Sequence, residues 1–103
     1  PPLWLKLIAL AARIDAEAGW NVTQGTPQLL NARCVELIRY IGARQQMPVE
    51  WHGDGSTLLT MVAMLTPPHA YEGGAITVNE ADEGRTMTFS GLPPGDLVAW
   101  RGW

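Results

Sequence analysis

The chain has 103 residues, of which 47% are apolar and 17% charged, a balance that excludes a disordered protein. Its net charge is -3 and its seven basic residues are scattered, so the sequence indicates no nucleic-acid partner. No apolar stretch is long enough to cross a bilayer, and one cysteine permits no internal disulfide. We therefore expect a globular protein without a membrane partner, with a cytoplasmic location favoured.

The first predicted element is a helix over residues 3–18, because apolar side chains recur there at helical spacing. The stripe consists of Trp4, Leu7, Ile8, Ala11 and Ile14. Gly19 is a suitable helix end, and residues 20–28 are polar and predict a loop. Residues 1–28 thus form an N-terminal helix and loop, and we expect the stripe to pack on a sheet.

Residues 29–41 permit two interpretations. Leu30, Cys34, Leu37, Ile38 and Ile41 form a helical stripe, which the pattern slightly favours. The same residues also permit a strand with apolar side chains on both faces.

The periodicity changes after Pro48, where short segments with strand-like alternation are separated by turn residues. Predicted strands cover residues 49–52, 57–65, 75–79, 85–90 and 97–101, with turns at residues 82–84 and 93–96. Residues 49–101 should therefore be mainly antiparallel β, as in a sandwich or barrel. The predicted fold class is mainly β with an N-terminal helix (α+β).

The segment with the most chemical content is His52-Gly53-Asp54-Gly55. On a strand, residues i and i+2 share a face and lie roughly 6.6 Å apart. An imidazole and a carboxylate so placed can bind one metal ion, and with a second histidine they form the facial triad typical of non-haem Fe(II) oxygenases. The flanking glycines permit a bend and the close approach of a ligand to the backbone.

Five segments follow one another in the order and at the spacings of a known enzyme superfamily. They are residues 35–40, 51–56, 59–65, 67–74 and 95–100. In these segments the chain resembles the 2-oxoglutarate/Fe(II)-dependent dioxygenases, close to their prolyl 4-hydroxylase-like branch.

The resemblance implies that residues 29–103 are the front part of a double-stranded β-helix (jelly roll), incomplete at the C-terminus. It implies that His52 and Asp54 bind Fe(II), with 2-oxoglutarate and O2 as partners in hydroxylating an unknown protein side chain or small molecule. Tyr40 matches a tyrosine that faces the same pocket in relatives, which implies a co-substrate or substrate contact. The resemblance also implies that residues 35–41 are a strand, the interpretation we adopt.

The family's second histidine and its 2-oxoglutarate-binding arginine or lysine have no counterpart, since both would follow the strand that begins at Leu97. We therefore expect the chain to be an excerpt, inactive alone, with both residues located beyond Trp103. Two alternatives stay open: a non-catalytic jelly-roll binding module, and a cupin-like metal enzyme that needs no 2-oxoglutarate.

Overall fold

One helix and four strands form the regular structure in the computed structural model, which describes residues 2–40, 51, 53–55, 57–80 and 84–102. They are α1 (Leu3–Ala18), β1 (Leu59–Ala63), β2 (Ile76–Glu80), β3 (Arg85–Phe89) and β4 (Leu97–Arg101). The predicted class, mainly β with an N-terminal helix, is confirmed. The chain divides into two compact units, Pro1–Gly55 and Ser56–Trp103, and each is described by itself below.

Helix α1 has the bounds that its apolar spacing predicts. Its stripe is only half-buried, and Trp4 at its N-terminal end is 47% exposed. The packing of this stripe on a sheet stays a prediction. The helix ends at Gly19, whose φ of 68° lies in the left-handed region that glycine adopts without steric cost.

The loop after α1 is held by a single acidic residue of the helix. The Asp15 backbone carbonyl accepts hydrogen bonds from the Gly19 and Trp20 amides. Its carboxylate accepts from the Val22 amide at 2.9 Å and from the Thr23 amide and hydroxyl at 3.1 and 2.8 Å. Asp15 is only 3% exposed, and Val22 beside it is also buried. The Asp15 backbone carbonyl thus holds residues 19–20, and its carboxylate holds residues 22–23.

The prediction for residues 29–41 is wrong within the described part of that segment. A short 3-10 turn covers Pro27–Leu29, and residues 30–40 then form neither helix nor strand. Leu37 is 83% exposed and Ile38 59% exposed, so the apolar side chains that suggested a core face are not buried. A strand requires a hydrogen-bonded neighbour, and the ladders found in the described chain join β1 to β4 and β2 to β3 alone.

Strands β1 and β4 form an antiparallel pair in which Met61 lies opposite Ala99. Further hydrogen bonds between Met64 and residues 95–96, and between Leu58 and Gly102, extend the pairing at both ends. Val98 is 6% exposed and is the most buried apolar side chain among the described residues of this unit. The predicted strand over residues 57–65 is confirmed over a shorter range, and the one over 97–101 at its predicted bounds.

Strands β2 and β3 form an antiparallel hairpin with Ile76 opposite Phe89. Its two faces differ because side chains alternate along a strand. One face carries the half-buried Ile76, Val78 and Phe89 together with the exposed Met87, and the other face carries the exposed Thr77, Asn79, Thr86 and Thr88. The strands predicted over residues 75–79 and 85–90 are confirmed within one residue.

Candidate metal centre

The proposed metal ligands occupy a short segment at the end of the first unit. His52 lies outside the described residues, and so do most residues of the predicted strand 49–52. Asp54 is half-buried between the exposed glycines Gly53 and Gly55. The chain thus holds the Asp54 carboxylate at a partly accessible position, but whether it shares a face with His52 stays a prediction.

The backbone beside Asp54 is connected to a distant part of the same unit. The Arg33 guanidinium Nη1 donates a hydrogen bond to the carbonyl oxygen of Gly55 at 3.2 Å. The two residues are 22 positions apart, so this contact joins the irregular segment 30–40 to the residue after Asp54. Sequence pattern did not single out Arg33, because no motif spacing connects it to Asp54.

Gly55 is the residue after Asp54, and the described residues leave space for a side chain there. A Cβ built at Gly55 meets no atom of the described chain within 4 Å, and the Gly55 φ lies outside the left-handed region. The described backbone therefore does not require glycine at this position.

Tyr40 is the predicted co-substrate or substrate contact. It ends the described part of the irregular segment, and its side chain is 60% exposed. Its exposure leaves the phenol accessible, while its orientation toward the Asp54 segment stays a prediction.

The donor chemistry of His52 and Asp54 fits iron, because imidazole and carboxylate oxygen are two of the three donors in a facial triad. Within the described ranges, which omit His52, no group of three or more His, Cys, Asp or Glu residues is placed to hold a metal. A complete three-ligand site would therefore need His52 and a further ligand in addition to Asp54.

Asp15 is the buried charge that sequence reasoning missed. Burial acts to raise the pKa of its carboxyl, but the hydrogen bonds from Val22, Thr23 and Asn21 outweigh burial and hold the pKa below its ordinary value. A signal was present in the sequence, since Asp15 falls at helical spacing from Ala11 and Ile8, on the apolar stripe. An acid on a buried stripe, followed closely by Gly19 and Thr23, is typical of a carboxylate that caps backbone amides.

Comparisons with family models, curated proteins and solved structures found no match to this chain. In the part of the chain that the structure describes, no helix combines the length and the apolar character needed to span a membrane.

Proposed function

We propose that the chain contributes two iron ligands, His52 and Asp54, to an Fe(II)- and 2-oxoglutarate-dependent hydroxylase. The observation that carries the proposal is the His52-Gly53-Asp54 spacing, placed ahead of strands whose order matches the resemblance. The half-buried Asp54 supports it, because a metal ligand must be partly shielded from water and yet reachable by a small substrate.

The strand pairing of the second unit supports a jelly-roll origin for the fold. The hairpin β2–β3 lies, in chain order, inside the antiparallel pair β1–β4. Such nested antiparallel pairs arise when one long ribbon of strands is rolled up, which is how a jelly roll is built. The segment that resembles the strand before the family's second histidine also coincides with β4.

Each residue has a distinct task in the proposed reaction. The His52 imidazole and the Asp54 carboxylate would hold the metal, and so small a number of protein ligands would leave it accessible to 2-oxoglutarate and O2. When bound, iron supplies the O2 activation that side chains cannot provide. One oxygen atom enters a substrate C–H bond and the other enters succinate, with release of CO2. The Tyr40 hydroxyl donates a hydrogen bond to the co-substrate or substrate.

A site of this kind needs a third metal ligand, which the resemblance places after the segment that forms β4. Where the natural polypeptide continues beyond Trp103, we expect a histidine within about ten residues, by the usual lengths of strands and loops. An arginine or lysine farther on would pair with the distal carboxylate of 2-oxoglutarate.

Succinate release tests the proposal. The natural polypeptide is given Fe(II), ascorbate, O2 and 2-oxoglutarate, and succinate is measured for the unaltered protein, His52→Ala, Asp54→Ala and the control His69→Ala. We expect both ligand variants to abolish release and His69→Ala to retain it, because His69 lies in an exposed 3-10 turn. The 103-residue chain alone should release none.

Full activity in His52→Ala would refute the assigned ligands. Metal-dependent turnover of another substrate without 2-oxoglutarate would favour the cupin-like alternative. A polypeptide that releases no succinate and binds no metal would favour a non-catalytic binding module.

A further inference from the structure

The contact between Arg33 and Gly55 lies where regular structure does not hold the backbone. Residues 30–40 and 53–55 contain no helix and no strand. In that setting a hydrogen bond between a side chain and a backbone carbonyl restricts the chain more than it would beside a ladder, because no ladder already fixes the surrounding dihedral angles. The 3.2 Å bond from Arg33 Nη1 to the Gly55 carbonyl is such a restraint.

We propose that Arg33 is a positioning residue for the metal ligand Asp54, an inference that rests on the proposed function. By holding the Gly55 carbonyl, Arg33 restrains the peptide one residue beyond Asp54 and so limits the backbone conformations of Asp54 and the directions its carboxylate takes. The planar guanidinium suits this task because it offers five donors in a rigid fork and stays protonated. For the same reason it is not itself a metal ligand, so its influence on the metal is indirect.

Two indirect influences act on metal affinity with opposite signs, which makes the proposal decidable. A positive charge near a cation site repels the metal, so removal of that charge alone would tighten binding. Loss of positioning would weaken binding, because the carboxylate would have to be ordered when the metal binds. A weaker affinity in Arg33→Ala therefore identifies positioning.

The test measures Mn(II) affinity of the 103-residue chain from the electron paramagnetic resonance signal of free Mn(II). The variants are Arg33→Ala, Arg33→Lys and Arg13→Ala. Arg13 is the matched control, an exposed arginine of the same unit whose partner is Glu17 on helix α1. We expect Arg33→Ala to weaken binding by roughly tenfold, as loss of an outer partner of a metal ligand usually does. The Mn(II) affinity of Arg33→Lys should lie between that of Arg33→Ala and that of the unaltered chain. The affinity of Arg13→Ala should equal that of the unaltered chain.

Amide hydrogen exchange without metal supplies a second readout. Arg33→Ala should speed exchange in residues 53–57 and leave helix α1 unchanged, whereas Arg13→Ala should leave residues 53–57 unchanged. Unchanged exchange in residues 53–57 of Arg33→Ala, or equal or tighter Mn(II) binding, overturns the positioning role.

His52→Ala separates this inference from the proposed function. If His52→Ala loses Mn(II) while Arg33→Ala keeps it, only the role of Arg33 is wrong. If His52→Ala binds Mn(II) as the unaltered chain does, the metal site is wrong and the inference falls with it.

Discussion

In the unit Ser56–Trp103, two antiparallel ladders hold four strands, whereas in Pro1–Gly55 the described segments after helix α1 have no ladder and are held by short backbone turns and by the side chains of Asp15 and Arg33. Asp15 holds the loop of residues 19–23, and Arg33 holds the carbonyl of Gly55. A ladder distributes its hydrogen bonds over many backbone groups, so no single side chain is essential to it. A segment held by one side chain depends on that residue. The proposed ligand segment around Asp54 is of this type, because the Arg33 side chain holds it at Gly55.

The largest expected effect in this comparison is that of Asp15→Ala. The substitution removes the hydrogen bonds that the carboxylate accepts from Val22 and Thr23, and it leaves the buried Val22 amide and the half-buried Thr23 amide without that acceptor. We expect a lower midpoint of thermal unfolding and faster amide exchange in residues 19–24. The control Glu17→Gln alters a nearby exposed acid and should change neither. If Asp15→Ala unfolds at the same temperature as Glu17→Gln, the Asp15 carboxylate does not hold the loop after helix α1.

Acid should remove the contribution of Asp15 without any substitution. Because hydrogen bonding lowers the pKa of Asp15, its contribution is present above the ordinary aspartate pKa of about 4 and is lost as pH falls through the folded pKa. The difference in urea midpoint between the unaltered chain and Asp15→Asn should therefore be largest near pH 6 and should shrink below pH 4. A difference that stays constant over this range would contradict the assignment.

Val98→Ala tests the most buried apolar side chain among the described residues of the unit Ser56–Trp103. Val98 is 6% exposed and lies opposite Val62. Loss of two methyl groups should lower the free energy of unfolding by about 1–2 kcal/mol, measured by urea denaturation. The strand pairing should persist, because the backbone ladder is unaffected. Loss of the β1–β4 amide protection in this variant would show that side-chain packing, and not the ladder, holds the unit.

Alanine substitutions at two adjacent glycines of the unit Ser56–Trp103 should cause a smaller loss of stability. Gly73 and Gly74 have φ values of 73° and 72°, a region in which alanine is strained by about 1 kcal/mol. A Cβ at Gly74 would also lie 3.3 Å from Cε2 of Tyr71, whereas one at Gly73 would meet nothing. Gly74→Ala should therefore destabilise more than Gly73→Ala, by urea denaturation. Gly55→Ala in the other unit should be nearly neutral for stability, and equal losses at all three positions would contradict this ranking.

The smallest expected effect is that of Arg13→Ala. Its bond to Glu17 spans 2.9 Å on the surface of helix α1, and both side chains are mostly exposed. An exposed pair four residues apart contributes roughly 0.3–0.5 kcal/mol, and salt screens it. The change in the free energy of unfolding should be within that range at low salt and vanish in 1 M NaCl, while a larger loss would mean that Arg13 has a second role.

The sequence predicted those parts of the fold in which the spacing of apolar residues matches the repeat of a helix or of a strand. Helix α1 and strand β4 have their predicted bounds, because apolar spacing and the turn glycines Gly19 and Gly95 mark their ends. The same reasoning failed for residues 30–40. Their apolar side chains fit the spacing of a helix or of a strand, but they are largely exposed. The spacing of apolar residues indicates which residues share a face, but it does not indicate whether another element covers that face.

The candidate site could be predicted only in part. The His52-Gly53-Asp54 spacing is visible in the sequence because both ligands lie within three residues. Arg33 is not visible, because its contact with Gly55 crosses 22 residues through an irregular segment. Side-chain restraints of this kind depend on the path of the chain, which no local pattern encodes.

The central claim is that His52 and Asp54 bind one metal ion, and residue-by-residue paramagnetic broadening of amide signals by Mn(II) tests it most directly. The broadening falls steeply with distance and detects weak binding. We predict that broadening centres on residues 51–57, disappears in His52→Ala and Asp54→Ala, and persists in His69→Ala. Broadening that centres elsewhere, or that survives in both ligand variants, would contradict the claim.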